Sequence, residues 1–218
     1  MKRLIITVLV LVTLSLGCKF SSLLPGGAGG GSGSGGGSSA SSDPKADVIA
    51  ASRKFVALNS FSAKMEGTGQ AEIKSQVDYV APDRYHIMYL AGTGAGMEMI
   101  VIGNQMFTKT GGGRWNKMPG DAGAAIPTLR DSFTEEGLKA LNDVKFEGAD
   151  SVDGKPALAY SYASATPKGD YPFNAKIWIS KDTGLPLKVH ATYGNGQLKE
   201  MTVTYDTESP VKIEAPAA

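Results

Sequence analysis

The side chains that could do covalent or acid–base chemistry are few and scattered. Cys18 is the only cysteine in 218 residues, and His86 and His190 are the only histidines. A lone thiol makes no intramolecular disulfide and no zinc or iron–sulfur site built on thiolates. Each histidine stands alone in its segment, without the spacing of a metal-ligand pair such as His-Glu-x-x-His. Glu135 and Glu136 are adjacent carboxylates, but at the start of a helical turn they compensate the helix dipole. Serines cluster in a spacer and form no G-x-S-x-G elbow, and the TGAG stretch at 93–96 lacks the Lys-Ser/Thr of a phosphate loop. The pattern therefore predicts no enzyme, no metal and no cofactor.

The thiol has a different setting. Lys2 and Arg3 precede an apolar run from Leu4 to Leu16, broken only by Thr7, Thr13 and Ser15, and Gly17 stands before Cys18. About 13 helical residues span ~20 Å, short of a hydrocarbon core of ~30 Å, so 1–17 reads as a secretion signal. The stretch Leu14-Ser15-Leu16-Gly17-Cys18 resembles the lipobox of bacterial lipoproteins, with Ser15 and Leu16 where the box usually has Leu and a small residue. The resemblance implies cleavage at Cys18 and a lipid on the new N-terminus. It implies export and attachment to a cell-envelope membrane. The other reading is an ordinary signal cut nearby, which leaves an unpaired thiol.

Behind Cys18, residues 18–42 read as a leash. Ser21 to Ser42 is mostly Gly and Ser and holds too little apolar surface to offset the entropy of ordering. Such a coil has a root-mean-square span of ~25 Å and a stretched limit of ~70 Å. Residues 43–218 then suit one domain with a full core. The formal charge is +1, and loss of Lys2 and Arg3 makes it −1, so no basic excess points to nucleic acid.

The elements follow from the period of the apolar residues. Asp43 can cap a helix and Pro44 suits its first position; Val48, Ile49, Phe55 and Val56 share a stripe around Ser52. Asp47, Arg53 and Lys54 are expected to point away from that stripe, and Lys45 to reach solvent. From Phe61 the period switches to two. Gly67-Thr68-Gly69 reads as a turn, and Ile73 to Tyr79 as a strand with one dry face. Tyr85–Leu90 and Met97–Ile102 are apolar on both faces. Gly103-Asn104 marks a hairpin into Met106–Thr110, and Arg114–Met118 follows. Residues 127–142 read as partly helical, capped by Asp131 or Thr134, with Leu129, Phe133, Leu138 and Leu141 on one side. Strands resume at Val144, Pro156, Asn174, Leu187 and Leu198. Local turns predict a single antiparallel meander of about eleven strands, too many to lie flat.

A helix, a long meander, a helical interruption and a lipid anchor together resemble the LolA/LolB lipoprotein-carrier superfamily, with its LppX/LprG-type lipoproteins. The segments that carry the likeness are 78–85 (DYVAPDRY), 99–107 (MIVIGNQMF), 175–189 (AKIWISKDTGLPLKV) and 202–216 (TVTYDTESPVKIEAP). The resemblance implies a mainly β (α+β) fold: one curved sheet forming an unclosed half-barrel, its concave face covered by the N-terminal helix and the mid-chain helical segment. It also implies an apolar cavity for the acyl chains of a lipid, glycolipid or lipoprotein.

The residues expected to line such a cavity are Met65, Tyr85, Ile87, Met88, Met97, Met99, Ile100, Val101, Ile102, Met106 and Trp178. Methionine is flexible and polarisable and adapts to chains of varied shape. Alternation puts Met97, Met99 and Val101 on one face and Ile100 and Ile102 on the other. Plain core packing explains any single one of these residues equally well. Two functions stay open: a membrane-anchored carrier or acceptor of acyl chains, or a non-enzymatic sensor or structural module with an envelope protein partner. Sensors resembling this group add a second domain, which is not expected here.

Overall fold

A computed structural model describes residues 42–70, 72–119, 130, 133–165, 172–194 and 198–217; the signal, Cys18 and nearly all of the leash lie outside them. The chain opens with helix α1 (Pro44–Val56). Asp43 caps it by accepting hydrogen bonds from the amides of Lys45 and Ala46 at 3.0 and 3.1 Å. Val48, Ala51, Ser52 and Phe55 are its buried face.

Eleven strands follow: β1 (Ser60–Gly69), β2 (Ile73–Val80), β3 (Arg84–Ala91), β4 (Met97–Ile102), β5 (Gln105–Thr110) and β6 (Asn116–Met118) form the first half. Helix α2 (Glu135–Leu138) precedes the second half: β7 (Asn142–Val152), β8 (Lys155–Ala165), β9 (Pro172–Ser180), β10 (Pro186–Tyr193) and β11 (Leu198–Asp206). All belong to one antiparallel sheet in the order β6-β5-β4-β3-β2-β1-β11-β10-β9-β8-β7. The sheet is not closed, and it is the expected open half-barrel. First and last strands pair in its middle, with Ala63 opposite Tyr205 and Met65 opposite Val203. Its two edges, β6 and β7, are neighbours in the chain, so the mid-chain segment runs from one edge to the other.

Some expectations change. Gly67 and Gly69 do not turn the chain but lie within β1. A Cβ on Gly67 would sit 2.9 Å from Leu198 Cδ1, so glycine is there for close approach to β11 rather than for a bend. The mid-chain helix is only four residues long, capped by Thr134, whose Oγ1 accepts from the Gly137 amide at 3.3 Å. Asp131 and Leu129 lie outside the described residues. Lys45 is exposed, as expected, and its Nζ also donates to the Leu141 carbonyl at 2.9 Å. Asp47 accepts from the Tyr160 hydroxyl at 2.8 Å, and Arg53 pairs with Glu135 at 2.6 Å. These charges tie α1 to α2 and to the sheet. Helical periodicity shows which face is apolar, but not which polar residues meet a partner from far along the chain.

The C-terminal tail covers part of the opposite face. Val211 and Ile213 pack with Val80, Ile100, Ile102, Phe107 and Trp115, and Arg84 donates to the Ile213 carbonyl at 3.0 Å. That accounts for strands apolar on both faces.

Candidate functional site

Directly opposed residues of antiparallel strands point to the same face, so the register defines the inner wall row by row. The first row runs Phe61, Tyr79, Tyr85, Val101, Met106, Met118. The second runs Tyr205, Ala63, Val77, Ile87, Met99, Thr108. A third crosses both halves of the sheet: Phe146, Tyr160, Ile177, Val189, Val203, Met65, Ser75, Tyr89. A fourth runs Tyr162, Ala175, Ala191, Met201, Gly67, Ile73. None of these rows contains a charged side chain. Helix α1 lies on this face, and Val48, Ala51 and Phe55 join its core.

Of the expected cavity residues, Met65, Tyr85, Ile87, Met97, Met99, Val101 and Met106 come together on the inner face, in one apolar cluster. Four do not. Ile100 and Ile102 pack under the C-terminal tail, and Met88 opposes Gln76 and Glu98 on the outer face. Trp178 also faces outward, against Val152, Ala157 and Leu187; its Nε1 donates to Asp150 at 2.8 Å. The reason is the strict period of two: along β4, Met97, Met99 and Val101 share the inner face, so Ile100 and Ile102 must share the other.

Of the tyrosines, the sequence reading named only Tyr85 for the cavity. All seven in the described residues, Tyr79, Tyr85, Tyr89, Tyr160, Tyr162, Tyr193 and Tyr205, face inward, the Tyr193 ring lying 5.6 Å from Phe173 in the next strand. Their alternation with polar residues was the available signal. Burial pushes the Tyr162 and Tyr205 hydroxyls well above the usual phenol range, and those of Tyr89 and Tyr193 upward. Tyr160 is raised too, first by burial and then by Asp47. The inner face thus offers apolar contact and neutral phenols.

The outer face is chemically its opposite. His86 lies 3.2 Å from Glu98, and Lys109 pairs with the other Glu98 oxygen at 2.8 Å. His190 Nδ1 lies 3.0 Å from Thr202 Oγ1. Among the described residues no three metal-ligating groups converge. A cleft of about 400 Å³ opens on this face, lined by Lys64, Gln76, Asp153, Lys155, Asp206 and Glu208 among others. It is too polar and charged to shelter a hydrocarbon chain.

No family model and no curated protein sequence matches the chain. Among solved structures it is similar to the lipoprotein LppX of Mycobacterium tuberculosis, with 16% identity over 78% of this chain and 98% of the other and a TM-score of 0.59. It is also similar to LprF from Mycobacterium bovis, with 15% identity over 80% and 97% and a TM-score of 0.61. At such identities the likeness shows the fold alone: this chain has the fold of LppX and LprF.

Proposed function

We propose that the chain is an exported envelope lipoprotein that binds the acyl chains of a lipid, glycolipid or lipoprotein on its inner face and carries or accepts them. The observation that carries this reading is the composition of that face. Apart from the hydroxyls of Ser75 and Thr108 the four register rows are apolar or phenolic and contain no charge, and several of the methionines and tyrosines there are only half buried. A wall made only to be core would bury them fully. Similarity of fold to the lipoprotein LppX supports the same direction.

Each buried methylene contributes ~0.8 kcal/mol, so ten give ~8 kcal/mol before the costs of association. The test is native mass spectrometry of protein purified from its own host, with lipid extraction, joined to saturable uptake of a pyrene-labelled acyl probe. A protein that melts cooperatively yet carries no extractable lipid and takes up no probe overturns the reading. It would promote the interaction module, which the closely packed rings around Phe55 favour.

The anchor belongs to the same proposal: Cys18 carries lipid and holds the domain on its leash at an envelope membrane. Cys18→Ala should release the domain from the membrane fraction or leave an uncleaved precursor. A processed variant of parental size that stays with membranes excludes lipidation at this residue.

A further inference from the structure

Buried tyrosines normally find a partner for the hydroxyl. Two here do: Tyr160 donates to Asp47 at 2.8 Å, and the Tyr79 hydroxyl donates to the Pro82 carbonyl and accepts from Arg130. Tyr162, Tyr193 and Tyr205 have none among the described residues, although Tyr205 is only 7% exposed and the other two are half buried. Tyr162 and Tyr193 share one neighbourhood, which Tyr205 reaches from the ring cluster around Phe55. Tyr162 opposes Ala175, and Tyr193 opposes Phe173 on the far side of that same strand. Ala175 opposes Ala191, so the register row beside Tyr162 runs through two small side chains. After burial, the largest cause of each shift, Tyr193 adds to the raised pKa of Tyr162, and Tyr162 to that of Tyr205.

We propose that Tyr162, Tyr193 and Tyr205 form a hydroxyl subsite for uncharged carbonyl groups, the ester or amide linkages at the head of acyl chains. This deepens the acyl-binding reading and rests on it. A phenol offers one donor and two lone pairs, and at neutral pH these phenols stay protonated. An ester carbonyl gives up little hydration on entering and gains a donor. A phosphate or carboxylate would lose far more, because on the described strands around the subsite Lys176 and Lys188 stand on the outer face, over Trp178. Lys45 and Arg130, from α1 and the mid-chain segment, are engaged on the carbonyls of Leu141 and Val56. The subsite thus selects for what joins the chains, while the methionines accept the chains themselves.

The experiment compares three probes on the purified chain by fluorescence titration: a pyrene-labelled diacylglycerol, the matching phosphatidic acid and an ester-free alkylpyrene. Tyr162→Phe and Tyr205→Phe keep the ring and remove only the hydroxyl. Each should weaken diacylglycerol binding about three- to tenfold, the loss of one neutral hydrogen bond, and leave the alkylpyrene unchanged. Tyr193→Phe, near a strand end, gives the same contrast should either of the others melt early. Unchanged diacylglycerol binding, or equal loss for both uncharged probes, overturns the subsite. So does phosphatidic acid binding as tightly as diacylglycerol. Failure of the parent to bind even the alkylpyrene sinks the acyl-binding reading itself, which separates the two failures.

Discussion

At one end of the inner face rings are locked against rings, whereas at the other the side chains are longer, softer and half covered. Phe55 from α1 lies 4.7 Å from both Phe61 and Phe133 and 4.9 Å from Tyr205, and Phe61 lies 5.2 Å from Tyr79. Phe55, Phe61 and Tyr79 are buried to within 1%. Toward the far ends of the same strands stand Met65, Met97, Met201, Tyr89 and Tyr162, all partly buried and packed against that core. Rigid aromatic pairs in close contact supply fixed geometry and stability. Unbranched thioethers with three rotatable bonds supply a surface that repacks. One sheet thus holds a structural plug and an adaptable wall, with Phe61 and Met65 four positions apart on β1 and Tyr205 and Met201 four apart on β11.

The contrast can be broken most forcefully at the plug. Phe55→Ala should cost about 3–5 kcal/mol, because neighbouring rings held by the sheet cannot collapse into the space. Urea unfolding measures this, and a loss below ~1 kcal/mol would mean that the plug is not the stabilising end. Tyr160→Phe should cost less, about 1–2 kcal/mol, by leaving Asp47 without its phenolic donor between α1 and the sheet. Met97→Ala, on the half-covered wall, should cost about 1 kcal/mol or less in stability while weakening uptake of a pyrene-labelled acyl probe. Stability falling as far as for Phe55→Ala would erase the distinction between the two ends.

A smaller effect is expected behind the wall. The hydrogen bond from Lys109 is the main cause holding Glu98 below the usual carboxylate range, and His86 adds to it. A carboxylate whose folded pKa is depressed stabilises the protein above its ordinary value of 4.5, and that contribution disappears as pH falls through the folded value. Melting followed from pH 6 to pH 3 should therefore decline less steeply for Glu98→Gln than for the parent. Parallel profiles would show that the outer network lends β3–β5 no acid-sensitive support. The smallest effect belongs to the Arg53–Glu135 pair, whose two side chains are each 63% exposed. Arg53→Ala should leave the melting temperature nearly unchanged, since exposed pairs are screened by solvent.

Where sequence and structure agree, the period of two is strong and local. Ile73 to Val80 alternates wet and dry, and the strand forms as read. The turn signal at Gly103-Asn104 places the hairpin between β4 and β5. Disagreement arises where a partner distant in the chain decides. Gly67 has the composition of a turn, yet its lack of a side chain is used to admit Leu198 and Met201. Ile100 and Ile102 signal that something apolar covers them, but their own sequence does not say whether it is a ligand or Val211 and Ile213. Trp178 suggested an aromatic wall and instead lies outside, with Lys176 and Lys188 over its ring at 4.7 and 5.2 Å. In the candidate site, Met65, Met97, Met99 and Met106 were legible as flexible side chains on strands, whereas Met88 faces outward. Apart from Tyr85 the tyrosines were not legible, since tyrosine is common on strands and only register shows that they converge.

The pairing of β1 with β11 has a consequence for how the molecule comes into being. During synthesis or export, the first six strands emerge with β1 as an open edge, its ladder of amides and carbonyls unpaired beside an apolar face. Such an edge templates association with other chains. Its proper partner is the last strand to appear, and contacts between residues so far apart are slow to form. The nascent chain therefore passes through a period in which half a sheet exists without its mate. Anything that shortens that period, a holdase on the β1 edge or rapid release of the C-terminal strand, protects the yield of folded protein.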